Sequence, residues 1–465
     1  MNALNIKPED IFKRTVAFFD WVRQFYSATG GIWFVITLLL LLFLQLPPLY
    51  ILLICLLLFL SSLAWVFYAY FKRKERLYLR RKWQALAWTH YRQVLAEALV
   101  RSCSEDMQIK VDFVTFYNGH FERLLNGGFY SELQYTRGSK HELDLVIFDI
   151  EYLDDLRDGV QFDEASYPFK LVPFERFLEE KETAQFPVMP DQFKNVLRPQ
   201  YDLTWALPLR WGFTGVAAKL TPGCRLRLKS KGFDLDSCTQ FDLDWLTDTG
   251  SEFYKWLQDP NEQCWVVSLD WYLPTMMLVA CDVIGAGCHN LTDEGLQRVL
   301  ERMKNLTLLM HPTEPLVEDP LRLAQRVHGQ ENLIIVGGGN WLQLLGQTPP
   351  SDLKLFPTTG GYFLWCECLG FLAPDGNPVD MDWQRDAQNL TKWFLKKQDD
   401  IMRASSFHAY RPSDQDAYQR LSKGGVQLLV RQLPPPDGGP FASRLKWEQA
   451  WKEWRSQLPA YKAPA

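Results

Sequence analysis

Beyond residue 83 the chain alternates short, unbroken apolar runs with longer stretches whose apolar residues recur at helical spacing. The runs "QALAW", "IKVDFVTF", "LDLVIFD", "WALPL", "GFTGVAA", "CWVVSL", "NLIIVGG", "LKLFP" and "YFLWCECLGFLA" predict strands. They are short, and most are rich in β-branched and aromatic residues, as strands are. Between them 90–103, 119–127, 275–285, 293–309 and 384–398 predict helices. "SRLKWEQAWKEWRSQL" predicts a last helix after the loop "PPPDGG". Continuous apolar strands are buried on both faces, and their alternation with amphipathic helices is the pattern of an α/β fold with mainly parallel sheets.

The N-terminal pattern is different. Residues 31–70 carry no charge at all, and one membrane span needs roughly 20 apolar residues. Pro47 and Pro48 stand in the middle, where a helix must stop or bend. The run therefore predicts a transmembrane helical hairpin, too long for a cleaved signal peptide. Lys7, Lys13, Arg14 and Arg23 precede it, and Lys72, Arg73, Lys74, Arg76, Arg80, Arg81 and Lys82 follow. Basic flanks remain cytoplasmic, so the hairpin places the rest of the chain in the cytoplasm. Residues 9–26 have apolar residues at helical spacing with basic ones between, the pattern of a helix lying on the inner leaflet or packing as an ordinary soluble helix.

Composition adds three limits. A chain of 465 residues is long for one compact unit and predicts two. A net charge of −5 gives no global attraction for nucleic acid. The nine cysteines, one of them inside the apolar run, form no disulfide-like framework, which points to a reducing compartment. "CEC" at 366–368 is too closely spaced for a zinc knuckle. "VGGGN" at 336–340 lacks the Lys-Ser/Thr of a phosphate loop and predicts a tight strand exit. No nucleophile–base set and no metal-ligand run is legible, so the chain reads as a non-enzyme without cofactor.

Six stretches then carry a resemblance, in order along 83–425: "AWTHYRQVLAEALVRSCSEDMQIKV", "LDLVIFDIEYLDDL", "YDLTWALPLRWGFTGVA", "VVSLDWYLPTMMLVACDVIGAGCHNLTDEGLQRVLERMKNL", "GGYFLWCECLGFLAP" and "AYRPSD". Together they resemble the polyamine-type (spermidine/putrescine) periplasmic solute-binding proteins. The resemblance implies the type II periplasmic-binding fold: two α/β lobes joined by crossover strands, with ligand between them. Lobe 1 would be 83–208 plus 364–412, and lobe 2 would be 209–363 plus 413–465. The remainder would be an N-terminal segment 1–30, the hairpin 31–70 and a basic collar 71–82.

An organic cation needs carboxylates for its ammonium groups and aromatic faces for its methylenes. The resemblance places Trp88, Tyr91, Asp149, Glu151, Tyr152, Trp211, Asp270, Trp365 and Glu367 in that role. The chain departs from the family where His90 replaces an acid, where Leu273 replaces the second acid after Asp270, and where glycines replace an aromatic near 336–340.

Family members that serve importers face outwards, whereas the basic flanks put this domain inside. The expected function is therefore a membrane-anchored, solute-binding-like sensor or scaffold in a bacterial inner membrane. It would hold a small organic cation such as a polyamine and act with a membrane-protein partner. The alternative is the substrate-binding component of a polyamine-type ABC importer, with the domain in the periplasm.

Overall fold

The computed structural model describes residues 82–88, 110–116, 144–159, 161–162, 165–166, 169–187, 189–197, 203–269, 278–280, 288–317, 320–339, 352–404, 409–435 and 437–458. All lie in the compact unit 81–465. The expected hairpin 31–70, the segment 1–30, most of the basic collar and the helices at 90–103 and 119–127 lie outside the described residues. Among the described residues no helix is long and apolar enough to cross a membrane.

One eleven-stranded sheet organises the described residues. Its strands are β1 (Lys82–Trp88), β2 (Lys110–Phe116), β3 (Leu145–Asp149), β4 (Phe169–Leu171), β5 (Leu207–Lys219), β6 (Cys264–Leu269), β7 (Leu316–Val317), β8 (Asn332–Gly339), β9 (Leu353–Phe356), β10 (Tyr362–Pro374) and β11 (Leu428–Val430). The order is β2-β1-β3-β10-β5-β8-β6-β7, with β9 on β5 and both β4 and β11 on β10. The helices used below are α1 (Leu153–Asp158), α2 (Asp293–Thr307), α3 (Pro320–His328), α4 (Met381–Ala404), α5 (Gln415–Leu421) and α6 (Arg444–Ser456).

The sheet is mixed rather than mainly parallel. β1 pairs in parallel with β2 and β3, and β6 with β7 and β8. At the centre the β3–β10, β10–β5 and β5–β8 pairs are antiparallel. The reason is that β5 and β10, thirteen residues each and buried almost throughout, run in opposite directions through both halves of the molecule. The two runs "WALPL" and "GFTGVAA" are thus one strand, with Arg210 and Trp211 inside it.

Side-chain alternation along these strands builds separate cores. Val216, Val266, Ile334 and Val336 face one way, against α2 and α6. Ala217, Val267, Leu333 and Ile335 face the other, against Leu323 and Val327 of α3. In α6, Trp447, Trp451 and Trp454 follow helical spacing and all are buried. A further core gathers Trp83, Val146, Phe148, Phe371 and the Trp383, Ala387, Leu390, Phe394 stripe of α4. Trp83 stacks on Trp383 at 5.6 Å.

Residues beyond 412 contribute to two cores. Ala417 and Leu428 pack in the core that holds Trp83 and Trp383, whereas Ala442 and the tryptophans of α6 pack in the core that holds Val216 and Val266. β11 pairs with residues 362–364 of β10, and its Leu428 and Leu429 pack against different cores. The "VGGGN" stretch holds both a bulge and the end of β8: the register slips between Val336 and Gly338, the strand ends at Gly339, and Gly337 takes φ of 83°. That conformation favours glycine.

Candidate functional site

Asp149, Glu367 and Arg210 are direct partners across three adjacent strands, Glu367 opposite Asp149 on one side and Arg210 on the other. Two carboxylates facing each other across antiparallel strands repel. Here arginines lie on both sides of them. The Arg210 guanidinium grips Glu367 through two N–H groups, Nε to Oε2 and Nη2 to Oε1. Arg431, just past β11, donates from Nη2 to Asp149 Oδ2 at 3.4 Å. Its Nε stands 2.9 Å from Glu151 Oε2. Arg210 is 1% and Arg431 5% exposed, so both charges lie in surroundings where an unpaired ion is not tolerated.

Burial pushes the Asp149 carboxyl well above its usual range; Arg431 pulls it back, and Glu151 and Glu367 push it further. Burial also raises Glu151, against the pull of Arg431. Three acids and two guanidiniums leave one negative charge if all are ionised, and a proton on Asp149 makes the group neutral.

The remaining expected residues divide. Trp365 stands two residues before Glu367 and so shares its face of β10. Its ring centroid is 6.0 Å from the Arg210 guanidinium carbon, a cation–π distance. Tyr152 and Glu151 share the single helical turn after β3, and both are buried. Trp211 is opposite Cys366, on the other face. It packs against Tyr410 at 4.7 Å and Phe193 at 5.7 Å, and its Nε1–H donates to Arg411 O at 2.8 Å. Trp211 therefore belongs to the core that holds Trp83 and Trp383, and not to the Trp365–Glu367 face. Trp88 ends β1 opposite Phe116. Tyr91 and Asp270 lie outside the described residues.

The structure thus brings Asp149, Glu151, Trp365 and Glu367 together, and adds Arg210 and Arg431. Arg210 did carry a signal in the sequence, a lone charge inside the apolar run "WALPLRWGFTGVA", because a charge in a buried strand demands a partner. Arg431 carried none, since only the fold returns it to β3. Among the described residues no group of three or more His, Cys, Asp or Glu side chains is arranged to hold a metal.

No protein-family model and no curated protein matches the chain. Among solved structures, one described as a spermidine/putrescine ABC transporter from Listeria monocytogenes is 13% identical, covering 80% of this chain and 98% of its own, with a TM-score of 0.49. A spermidine/putrescine ABC transporter substrate-binding protein from Streptococcus pneumoniae is 12% identical over 81% of this chain and 99% of its own, also at 0.49. A structure from work on xylan utilization by Caldanaerobius polysaccharolyticus is 11% identical over 81% and 96%, at 0.50. Likeness at such identities bears on fold alone. The curled mixed sheet with its flanking helices fits the solute-binding-protein fold.

Proposed function

We propose that this chain is a membrane-anchored, solute-binding-like protein that works as a ligand sensor or as a scaffold for a membrane complex, and not as an enzyme. Residues 31–70 would be its hairpin anchor, and 83–465 would face the cytoplasm of a bacterial cell. The observation that carries the reading is the internal pairing of the carboxylates expected to meet a ligand: Glu367 with Arg210, and Asp149 and Glu151 with Arg431. A courier for an importer must take up and release its solute at every cycle. An ammonium group would have to displace a buried guanidinium from Glu367, and breaking such a pair costs about 3–5 kcal/mol. A sensor that responds to a high concentration of a small organic cation, such as a polyamine, or a scaffold that needs no ligand, is under no such demand.

The test is topology. A fluorescent reporter and alkaline phosphatase are each fused after residue 465 in a bacterial host. Fluorescence without phosphatase activity is the expected result. Phosphatase activity would overturn the cytoplasmic reading in favour of the importer component.

A further inference from the structure

The C-terminal segment between β11 and α6 makes a third connection between the lobes, beyond β5 and β10, and both its ends are fastened to the same corner of lobe 1. At one end Arg431 accompanies β11 onto β10, its amide donating to Leu364 O at 2.9 Å. Its side chain holds Asp149 and Glu151. Leu433 then packs against both the lobe 1 and the lobe 2 core. At the other end Arg444 holds Asp155 of α1 by a two-pronged contact, Nη1 to Oδ2 at 2.6 Å and Nη2 to Oδ1 at 3.0 Å. Arg444 also closes the segment on itself, its amide donating to Pro435 O at 2.9 Å and its Nε to Pro434 O at 3.3 Å.

Asp155 belongs to lobe 1, since its neighbours Leu153 and Leu156 lie in that core. Arg444 opens α6, whose three tryptophans lie in the lobe 2 core. Lys446 pairs with Asp293 of α2 at 2.6 Å, and the Ala442 amide donates to Leu291 O, so this end is anchored in lobe 2. The Arg444–Asp155 contact is therefore a contact between lobes. Bidentate guanidinium–carboxylate pairs are among the strongest polar contacts, and this one is largely shielded, at 19% and 10% side-chain exposure. Its position matters as well. Asp149 ends β3, and Glu151 and Asp155 lie just past it, at the carboxyl end where open α/β sheets take their ligands.

We propose that residues 431–444 are a built-in strap that holds the two lobes together without ligand, Arg431 and Arg444 taking the carboxylates at the end of β3. Lobe opening then requires release of Arg444 from Asp155. The strap needs the two-lobed fold alone, so neither the topology of the chain nor its affinity for amines decides it.

The experiment measures the distance between lobes in the full chain without added ligand. Spin labels are attached through non-natural residues at Glu179, beside the lobe 1 core, and Glu252, beside the lobe 2 core. The expected result is one short, narrow distance distribution in the parent chain. Asp155→Asn combined with Arg444→Met should add a longer-distance population, and the exchanged pair Asp155→Arg with Arg444→Asp should remove it again. A parent chain that already shows two populations, or a double variant with the parent's distribution, would overturn the strap. Should the variants fail to fold, hydrogen exchange of the unsubstituted chain decides. The amides of Phe441, Ala442 and Arg444 should be protected as well as those of α6, and exchange about tenfold or more faster would overturn the proposal.

Discussion

Arg210 and Glu367 face each other across the two crossover strands and are joined by a two-pronged ion pair at the centre of the sheet. Glu367 meets Asp149 on its other side. The two longest strands of the sheet thus carry a buried ion pair between them.

Removing one member of this pair leaves the other buried and unmatched, which costs about 3–5 kcal/mol. Arg210→Met is expected to lower unfolding stability by about that amount in urea titration. Arg210→Met with Glu367→Leu is expected to recover most of it, because two apolar residues leave no unmatched charge. A double variant as unstable as the single one would show that packing, not charge, sets the cost.

Two carboxylates should shift stability with pH in opposite senses. Asp149 binds its proton more tightly folded than unfolded. Its contribution therefore grows as pH falls through the folded value, and is complete below the unfolded value near 3.9. For Glu182 burial acts upward, but the hydrogen bonds from Lys392, the Glu179 amide and Gln388 outweigh it and hold the group at about 2. That contribution is present above the unfolded value near 4.3 and is lost as pH falls towards about 2. Glu182→Gln should accordingly cost about 1–2 kcal/mol at neutral pH and little at pH near 2. Asp149→Asn should flatten the acid-side gain. Unfolding free energies across pH for the three chains check both signs.

Gly339 leaves no room for a side chain. A Cβ there would fall on the carbonyl oxygen of Phe213, a backbone atom that cannot turn away. Gly339→Ala is expected to be destabilised by about 1–3 kcal/mol, while Gly232→Ser, where a Cβ meets nothing but the φ is 94°, should show the smaller cost of backbone strain alone. Thermal unfolding of the pair separates steric from conformational effects.

Trp454 is fully buried on α6 and donates from Nε1 to Met303 O at 2.8 Å and Thr307 Oγ1 at 2.9 Å. Trp454→Ala should lose about 3–5 kcal/mol. Trp454→Phe should lose less, because the ring volume is largely retained while the donor is gone. Urea unfolding that ranks the two in reverse would contradict this packing.

If the cleft takes an organic cation, Glu367→Gln should weaken its binding more than tenfold, which corresponds to about 1.4 kcal/mol or more. Titration calorimetry of the full chain with putrescine, spermidine and spermine measures this, and an unchanged affinity would remove Glu367 from the ligand set.

Among the described residues several strand and helix positions were legible from local pattern alone, whereas the helices Pro222–Ser230, Glu252–Gln258 and Pro320–His328 were not. "CWVVSL", "NLIIVGG" and "YFLWCECLGFLA" are strands within a residue or so of their expected ends, because apolar runs and caps act over a few neighbours. The same holds for the helix at 293–307, whose start is set by Thr292 accepting from the Gly295 amide. Sheet direction was not legible: parallel or antiparallel pairing depends on the route of the chain between strands, and β5 and β10 reverse the pattern at the centre. Nor was the fate of the acids. Asp149, Glu151 and Glu367 could be placed at strand ends or within a strand from the sequence, but their partners Arg431 and Arg210 are 282, 280 and 157 residues away in the chain. Trp211 and Trp365 look alike in the sequence, two tryptophans in buried strands. A register offset by one residue sends them to opposite faces, one into the core and one beside the buried charges. Local composition decides what can be buried; only the tertiary fold decides which charge is buried against which.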